Sequence, residues 1–319
     1  MVVGALVLLA FPAAVGTIHT SLAPSLAAKA DPTCRVGTRP QIPAYDPVTH
    51  DTYVPNEGSS NVTVLSGTCT LVGTIALPGS DPFAAAFDPR TNDIDVTDAA
   101  LNQVYQISGL TVEATTTGFD DPTMIVYDPA CNVAAGHLGC MVVANSGTTT
   151  VESLSGVTFH VGREPFGLAY DSFWNTIVVS NILSNNVTVL NARTLTSVAN
   201  VTVGTEPIGV AFDPSDCEDY VANEGSNNVT VLGGAAGPGG IDGTITGFDN
   251  PRGVAWDQSN LRIYVTNNGD GKVFELSVLA IVKKASTAAG SEATGLSFDA
   301  ASDKMYVAGF GTNLVYVLS

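Results

Sequence analysis

An aromatic residue followed by aspartate recurs seven times along the chain, at Tyr45-Asp46, Phe87-Asp88, Tyr127-Asp128, Tyr170-Asp171, Phe212-Asp213, Trp256-Asp257 and Phe298-Asp299. The aspartates are spaced by 42, 40, 43, 42, 44 and 42 residues. A period near 42 limits the fold more than any other feature of the chain. Each repeat is a supersecondary unit that cannot bury its own apolar surface and must stack on its neighbours. The fullest copy runs Pro207-Ile-Gly-Val-Ala-Phe-Asp213, then Tyr220-Val-Ala-Asn223, then Asn228-Val-Thr-Val-Leu232, with a weaker Val/Thr segment such as Ser197–Val203 in the fourth place. Runs of β-branched residues bounded by Asp-Pro, Asn-Gly and Gly-Ser turns read as strands. Their faces are apolar or small on both sides, so each sheet needs a cover on both sides. Four strands in each of seven repeats predict an all-β, seven-bladed β-propeller with four-stranded blades.

The ends predict how the ring closes. The seventh repeat stops at Leu318-Ser319 without a fourth strand, while Cys34-Arg-Val-Gly-Thr-Arg-Pro40 lines up with Val201-Thr-Val-Gly-Thr-Glu-Pro207. The N-terminal strand is therefore expected to complete the last blade, which removes an exposed sheet edge. The repeated residues are expected to have structural jobs. The aromatic packs between blades, and the aspartate accepts local backbone N–H groups at a hairpin. Gly167, Gly209, Gly253 and Gly295 let strands crowd near the axis. Asn56, Asp98, Asn181, Asn223, Asn267 and Gly309, ten residues after the aspartate, are expected to enter left-handed turns.

Tyr264-Val-Thr-Asn267, Tyr220-Val-Ala-Asn223 and Tyr53-Val-Pro-Asn56 resemble the YVTN β-propeller repeat, and the resemblance spans about residues 34–319. That family is best known from archaeal surface-layer and related envelope proteins. The resemblance therefore implies a propeller at the cell surface, although propellers host many activities. Asp95-Val-Thr-Asp98, Val178-Val-Ser-Asn181 and Tyr306-Val-Ala-Gly309 depart from the motif.

Ahead of the propeller (31–319), residues 1–30 contain a dense apolar run, Val2–Val15, and a small-x-small step at Ala28-Lys-Ala30. This reads as a cleaved signal peptide or, if retained, as an anchor or assembly segment that would make the only membrane contact. The chain has 12 Lys and Arg against 30 Asp and Glu, a net charge of −18, so little would neutralise phosphates and a nucleic-acid partner is not expected. Cys131 and Cys140 bracket an insertion in the third repeat and are expected to form a local disulfide in an extracellular or cell-surface setting. The sequence leaves open how Cys34, Cys69 and Cys217 pair. Asn61, Asn186, Asn200 and Asn228 each begin an Asn-Val-Thr glycosylation sequon, but Asn-Val-Thr is also the third strand of the repeat.

No catalytic constellation emerges. His19, His50, His137 and His160 are scattered, and none recurs beside a Ser or Cys as a triad requires. One set of residues does converge. The position before the proline that opens a repeat carries Asp81, Asp121, Glu164 and Glu206, together with Arg39 and Asn250, and Glu292 holds the same place ahead of Ala293. In a propeller these turns ring one mouth of the channel. Five carboxylates there either suit a turn facing water or hold a cation that offsets their repulsion, and oxygen-only ligands favour Ca²⁺ or Mg²⁺. The leading expectation is a non-enzymatic exported module that requires no cofactor and has envelope proteins, glycans or copies of itself as partners. The alternatives are a metal-dependent, lactonase-like hydrolase and a sugar- or peptide-binding receptor using Asn56, Glu57, Asn223, Glu224 and Asp270.

Overall fold

The computed structural model describes residues 31–131, 139–277, 280–288 and 292–318. The expected leader (1–30), with His19 and the expected cleavage site, and His137 lie outside the described residues. Seven antiparallel sheets of four strands form the ring. The first blade is β2 (Ala44–Asp46), β3 (Asp51–Asn56), β4 (Asn61–Ser66) and β5 (Thr70–Ala76), and the order repeats blade by blade. The last blade takes β26 (Ala293–Asp299), β27 (Lys304–Gly309) and β28 (Leu314–Leu318) from the C-terminus and β1 (Asp31–Arg35) from the N-terminus. Cys34 pairs opposite Val315 and Arg35 opposite Leu314, so the ring closes as the sequence predicts. A disulfide from Cys34 to Cys69 then fastens this last blade to the first. The expected Cys131–Cys140 bond is also present, and Cys217 is free.

The aspartate of every repeat is at most 5% exposed and accepts the backbone N–H two residues on, at 2.7–2.9 Å. A charge-assisted bond of this kind is worth about 1.5–3 kcal/mol, which explains why one residue type fills all seven positions. The preceding aromatics pack half-buried against the inter-blade clusters: Phe87 between the first two blades, Trp256 between the fifth and sixth, Phe298 between the sixth and seventh. At the inner strands, a Cβ on Gly167 would lie 2.1 Å from the Ile208 carbonyl oxygen, and one on Gly209 2.2 Å from that of Arg252. Blades approach too closely there for any side chain. Pro43 shortens β2 to three residues, and Ile42 instead makes a parallel bridge with Ala84 of the next blade.

Hydroxyls clasp neighbouring blades. Thr97, Ser180 and Thr266, the third residue of the motif, donate to the carbonyls of Thr123, Ile208 and Thr294 in the following blade at 2.6–2.9 Å. Where that residue is Ala144 or Ala308, a threonine on the inner strand substitutes: Thr123 donates to Phe166 O at 3.2 Å, and Thr294 to Pro40 O at 3.3 Å.

The motif asparagines correct an expectation. Asn56 and Asn181 sit at φ −125° and −123°, which is extended and not left-handed backbone. Their work is done by the side chain. The Nδ2 of Asn56 donates to Asn61 Oδ1 at 2.9 Å and Thr63 Oγ1 at 3.0 Å, and Asn181 and Asn223 grip Asn186/Thr188 and Asn228/Thr230 in the same way. Three of the four sequons are thereby part of the clamp that joins the second and third strands. Asn200 lies instead on an exposed outer strand.

Candidate functional site

The turns before the inner strands and those after the second strands meet on one face, and backbone hydrogen bonds fuse them. Glu57 N donates to Arg39 O, Ala99 to Asp81, Ser146 to Asp121, Ile182 to Glu164, Glu224 to Glu206, Asn268 to Asn250 and Phe310 to Glu292, all at 2.9–3.2 Å. Six of the seven accepting residues have φ between 50° and 57°, with Asp81 the exception. Non-glycine residues pay steric strain in this region, and a cap from the preceding blade supports it. Asn102, Asn185, Asn227 and Asn313 accept the N–H of Asp121, Glu206, Asn250 and Arg39 at 2.7–3.0 Å. These four asparagines are themselves in the left-handed region, at φ 51–58°. The mouth is thus a ring of fused turns in which each blade's rim residue is held by its own blade, and four of the seven are held by the previous blade as well.

The rim is chemically polarised. Asp81, Asp121 and Glu164 line a single cavity of about 320 Å³ together with Glu57. There Ser146 Oγ donates to Asp121 Oδ2 at 2.5 Å. A second cavity of about 450 Å³ holds Arg39, Arg252, Asn268, Phe310 and Glu292. Arg39 pairs with Glu57 at 3.0 Å and covers the Phe310 ring at 4.5 Å, while Gln41 donates to the other Glu57 oxygen at 2.5 Å. Glu206 folds against the Gly225 backbone, where a Cβ would come within 2.7 Å of its carboxylate. The five predicted acids therefore divide among separate parts of the rim. Among the described residues, no three of their carboxylates offer oxygens within 4.8 Å of one another; the one such cluster, Asp128 with Cys131 and Cys140, contains the disulfide. Burial holds the Glu224 carboxyl above its ordinary pKa; the Arg252 charge opposes this and the Glu206 charge adds to it.

Below the rim the channel is plugged. Ile42, Phe83, Met124, Phe166, Ile208 and Leu296 leave only about 40 Å³ between them, so a solute enters the mouth from one side. Arg252 was not singled out by the sequence reading. Its signal was a charged side chain in a repeat position that is otherwise uncharged, with Phe83, Thr123, Phe166 and Ile208 among its counterparts. Asn56 and Asn223 of the receptor reading are buried in strand clamps, Glu57 lines both mouth cavities, Glu224 is half-buried beside Glu206, and Asp270 is held by Asn267 and Lys272. Neither described histidine lines the mouth cavities. His50 lies on the hairpin between β2 and β3, on the opposite face, where Tyr45 OH meets its Nδ1 at 2.7 Å, and His160 ends an outer strand.

No protein-family model and no curated protein sequence matches the chain. Solved structures do. A streptogramin B lyase superposes with a TM-score of 0.73 at 12% identity, covering 90% of this chain and 96% of the lyase. Selenomethionine-substituted virginiamycin B lyase from Staphylococcus aureus gives 0.73 at 11% identity over 90% and 98%. A catalytically inactive histidine-to-alanine variant of that lyase with quinupristin gives 0.74 at 12% over 90% and 98%. At this identity the likeness establishes the fold. The neighbours are enzymes, however, and they overturn the expectation of a non-enzymatic structural module.

Proposed function

We propose that the protein is a metal-dependent propeller enzyme that opens an ester-type bond, lactonase-like, in a substrate seated in the channel mouth. The observation that carries this reading is the blind, polarised cup, with carboxylates along one arc, two arginines along another and an apolar floor. Pockets with an apolar body and a few convergent polar groups are where small ligands bind. Asp81, Asp121 and Glu164, which line one cavity, are the residues that would hold a hard divalent cation, Ca²⁺ or Mg²⁺, while Glu206 and Glu292 lie on other parts of the rim. Their all-oxygen donor set fits such an ion, which accepts water to complete its shell. When bound, the ion polarises a carbonyl and makes water a better nucleophile. Glu224, held above its ordinary pKa by burial, is suited to accept a proton at the rim.

The lyase neighbours favour elimination as a second reaction at the same site. Neither described histidine reaches the mouth, so a carboxylate would be the base. The two disulfides support work in an oxidising, extracytoplasmic compartment, with residues 1–30 serving export or anchoring and Asn200 as the accessible sequon. The Tyr-Val-Thr-Asn-type repeats favour kinship with the YVTN propellers.

The test is a panel of lactones and cyclic esters incubated with Ca²⁺ in ¹⁸O-water and read by mass spectrometry. Hydrolysis gives a labelled acid, and elimination gives an unlabelled acid and an alkene. Paired Glu164→Gln and Glu206→Gln substitutions are expected to abolish both Ca²⁺ binding and turnover, by about 100-fold or more. Unchanged Ca²⁺ binding in that variant, or no turnover of any member of the panel, removes the reading.

A further inference from the structure

Among the described residues, no carboxylate lies within ion-pair distance of Arg252, which stands in a partly enclosed place. Its half-buried side chain lines both the plugged throat and the wider cavity beside it. Arg39, Arg90 and Arg262 each hold a carboxylate, at 3.0, 2.6 and 2.9 Å. No ion pair or hydrogen bond joins the Arg252 guanidinium to a described residue. Glu57, in the same cavity, has one oxygen on Arg39 and the other on Gln41. Glu292 of that cavity is exposed, and Glu224 acts on Arg252 only at longer range. A partly desolvated guanidinium carries five N–H donors that favour a planar anion held through two parallel bonds. Beside it, the Phe83 and Phe166 rings meet edge to face at 5.4 Å and offer apolar surface.

We infer that Arg252, Phe83 and Phe166 form a subsite for the carboxylate of an apolar or aromatic monocarboxylic acid. The inference deepens the ester-opening reading, and rests on it for the mouth being the working face. In hydrolysis, water adds to the acyl carbon, the acyl C–O bond breaks, the leaving oxygen takes the electron pair and one of the water's protons to become an alcohol, and the acid gives up the other proton. In elimination, a base takes a C–H proton, the alkyl C–O bond breaks and its electron pair leaves on the carboxylate. Both routes end with a carboxylate, and Arg252 is the group placed to receive it.

Isothermal titration of the full chain with 3-phenylpropionate, and with 3-phenylpropanamide as its uncharged counterpart, tests the subsite. Wild type and the control Arg262→Gln are expected to prefer the carboxylate. Arg252→Gln should weaken phenylpropionate binding about tenfold or more and leave the amide unchanged, with Arg252→Lys intermediate. A thermal melt verifies that each variant is folded; should Arg252→Gln not fold, the carboxylate-over-amide preference of wild type and its reduction in Arg252→Lys decide. Equal affinity of wild type for the two probes, binding of neither at millimolar concentration, or full affinity in folded Arg252→Gln overturns the inference. The probe contains no ester, so failure of the ester-opening reading leaves this measurement intact, and loss of the subsite with turnover preserved overturns only the subsite.

Discussion

The protein carries two rings of carboxylates on opposite faces of the propeller, and the same chemical group does opposite work in them. On the face formed by the hairpins between each blade's first and second strands, Asp46, Asp88, Asp128, Asp171, Asp213, Asp257 and Asp299 are almost wholly buried and bonded to backbone N–H groups two residues on. On the mouth face, Asp81, Asp121, Glu206 and Glu292 are exposed and Glu164 is half-buried. Their backbones are fixed by the ring of hydrogen-bonded turns, and their side chains are left to meet whatever enters. The invariant ring builds the blades. The ring that mixes acids with Arg39 and Asn250 is where blades differ, and only a position free to differ between blades can shape a site.

The comparison can be broken most directly at the buried ring. Asp213→Ala removes the acceptor for Ser215 N and Ser215 Oγ, at 2.8 and 2.6 Å, and is expected to cost about 2–4 kcal/mol in a denaturant titration. A loss below about 1 kcal/mol would show that the hairpin, not the aspartate, sets the blade.

Acidity gives the next effect. Near the hairpin face, burial pushes Asp95 up to about 7, Asp128 and Asp216 to about 6 and Glu218 to about 8. Raised folded-state values mean that the folded chain binds more protons than the unfolded one between about pH 4 and 8. The stability these groups contribute is complete below their unfolded pKa values and is lost as pH rises through 6 to 8. The melting temperature should therefore fall from pH 5 to pH 8. Asp95→Asn, at a site 2% exposed with Oδ2 unbonded, should regain about 1–3 kcal/mol at pH 8 and little at pH 5. A flat pH profile in wild type would contradict this.

The smallest effect on stability sharpens the contrast. Glu164→Gln with Glu206→Gln should shift unfolding by no more than about 0.5 kcal/mol in the absence of metal. In wild type, Ca²⁺ at about 100 times its dissociation constant should add about 2.7 kcal/mol, and the double variant should lose that increment. Calcium stabilisation that survives in the variant would move the cation elsewhere.

Much of this was legible along the chain. The period, the hairpin aspartates, the crowding glycines and the joining of the termini are set by local rules: a turn needs an acceptor, a close approach needs a missing Cβ, and an open sheet edge needs a partner. Local rules misjudged the motif asparagines. Asn is a common left-handed residue, yet Asn56 and Asn181 are extended because their amides reach strands five and seven residues away, and the left-handed role passes to Asn102, Asn185, Asn227 and Asn313. The rim acids could be counted from the sequence, but their division into separate cavities could not, because side-chain spacing around a ring depends on blade tilt and on neighbours about 42 residues apart. Arg252 shows the limit most clearly. By itself the sequence determined that a charge enters an uncharged column, and only the folded ring decided that Glu57 is already taken by Arg39 and Gln41, which leaves that charge without an ion-pair partner among the described residues of the mouth.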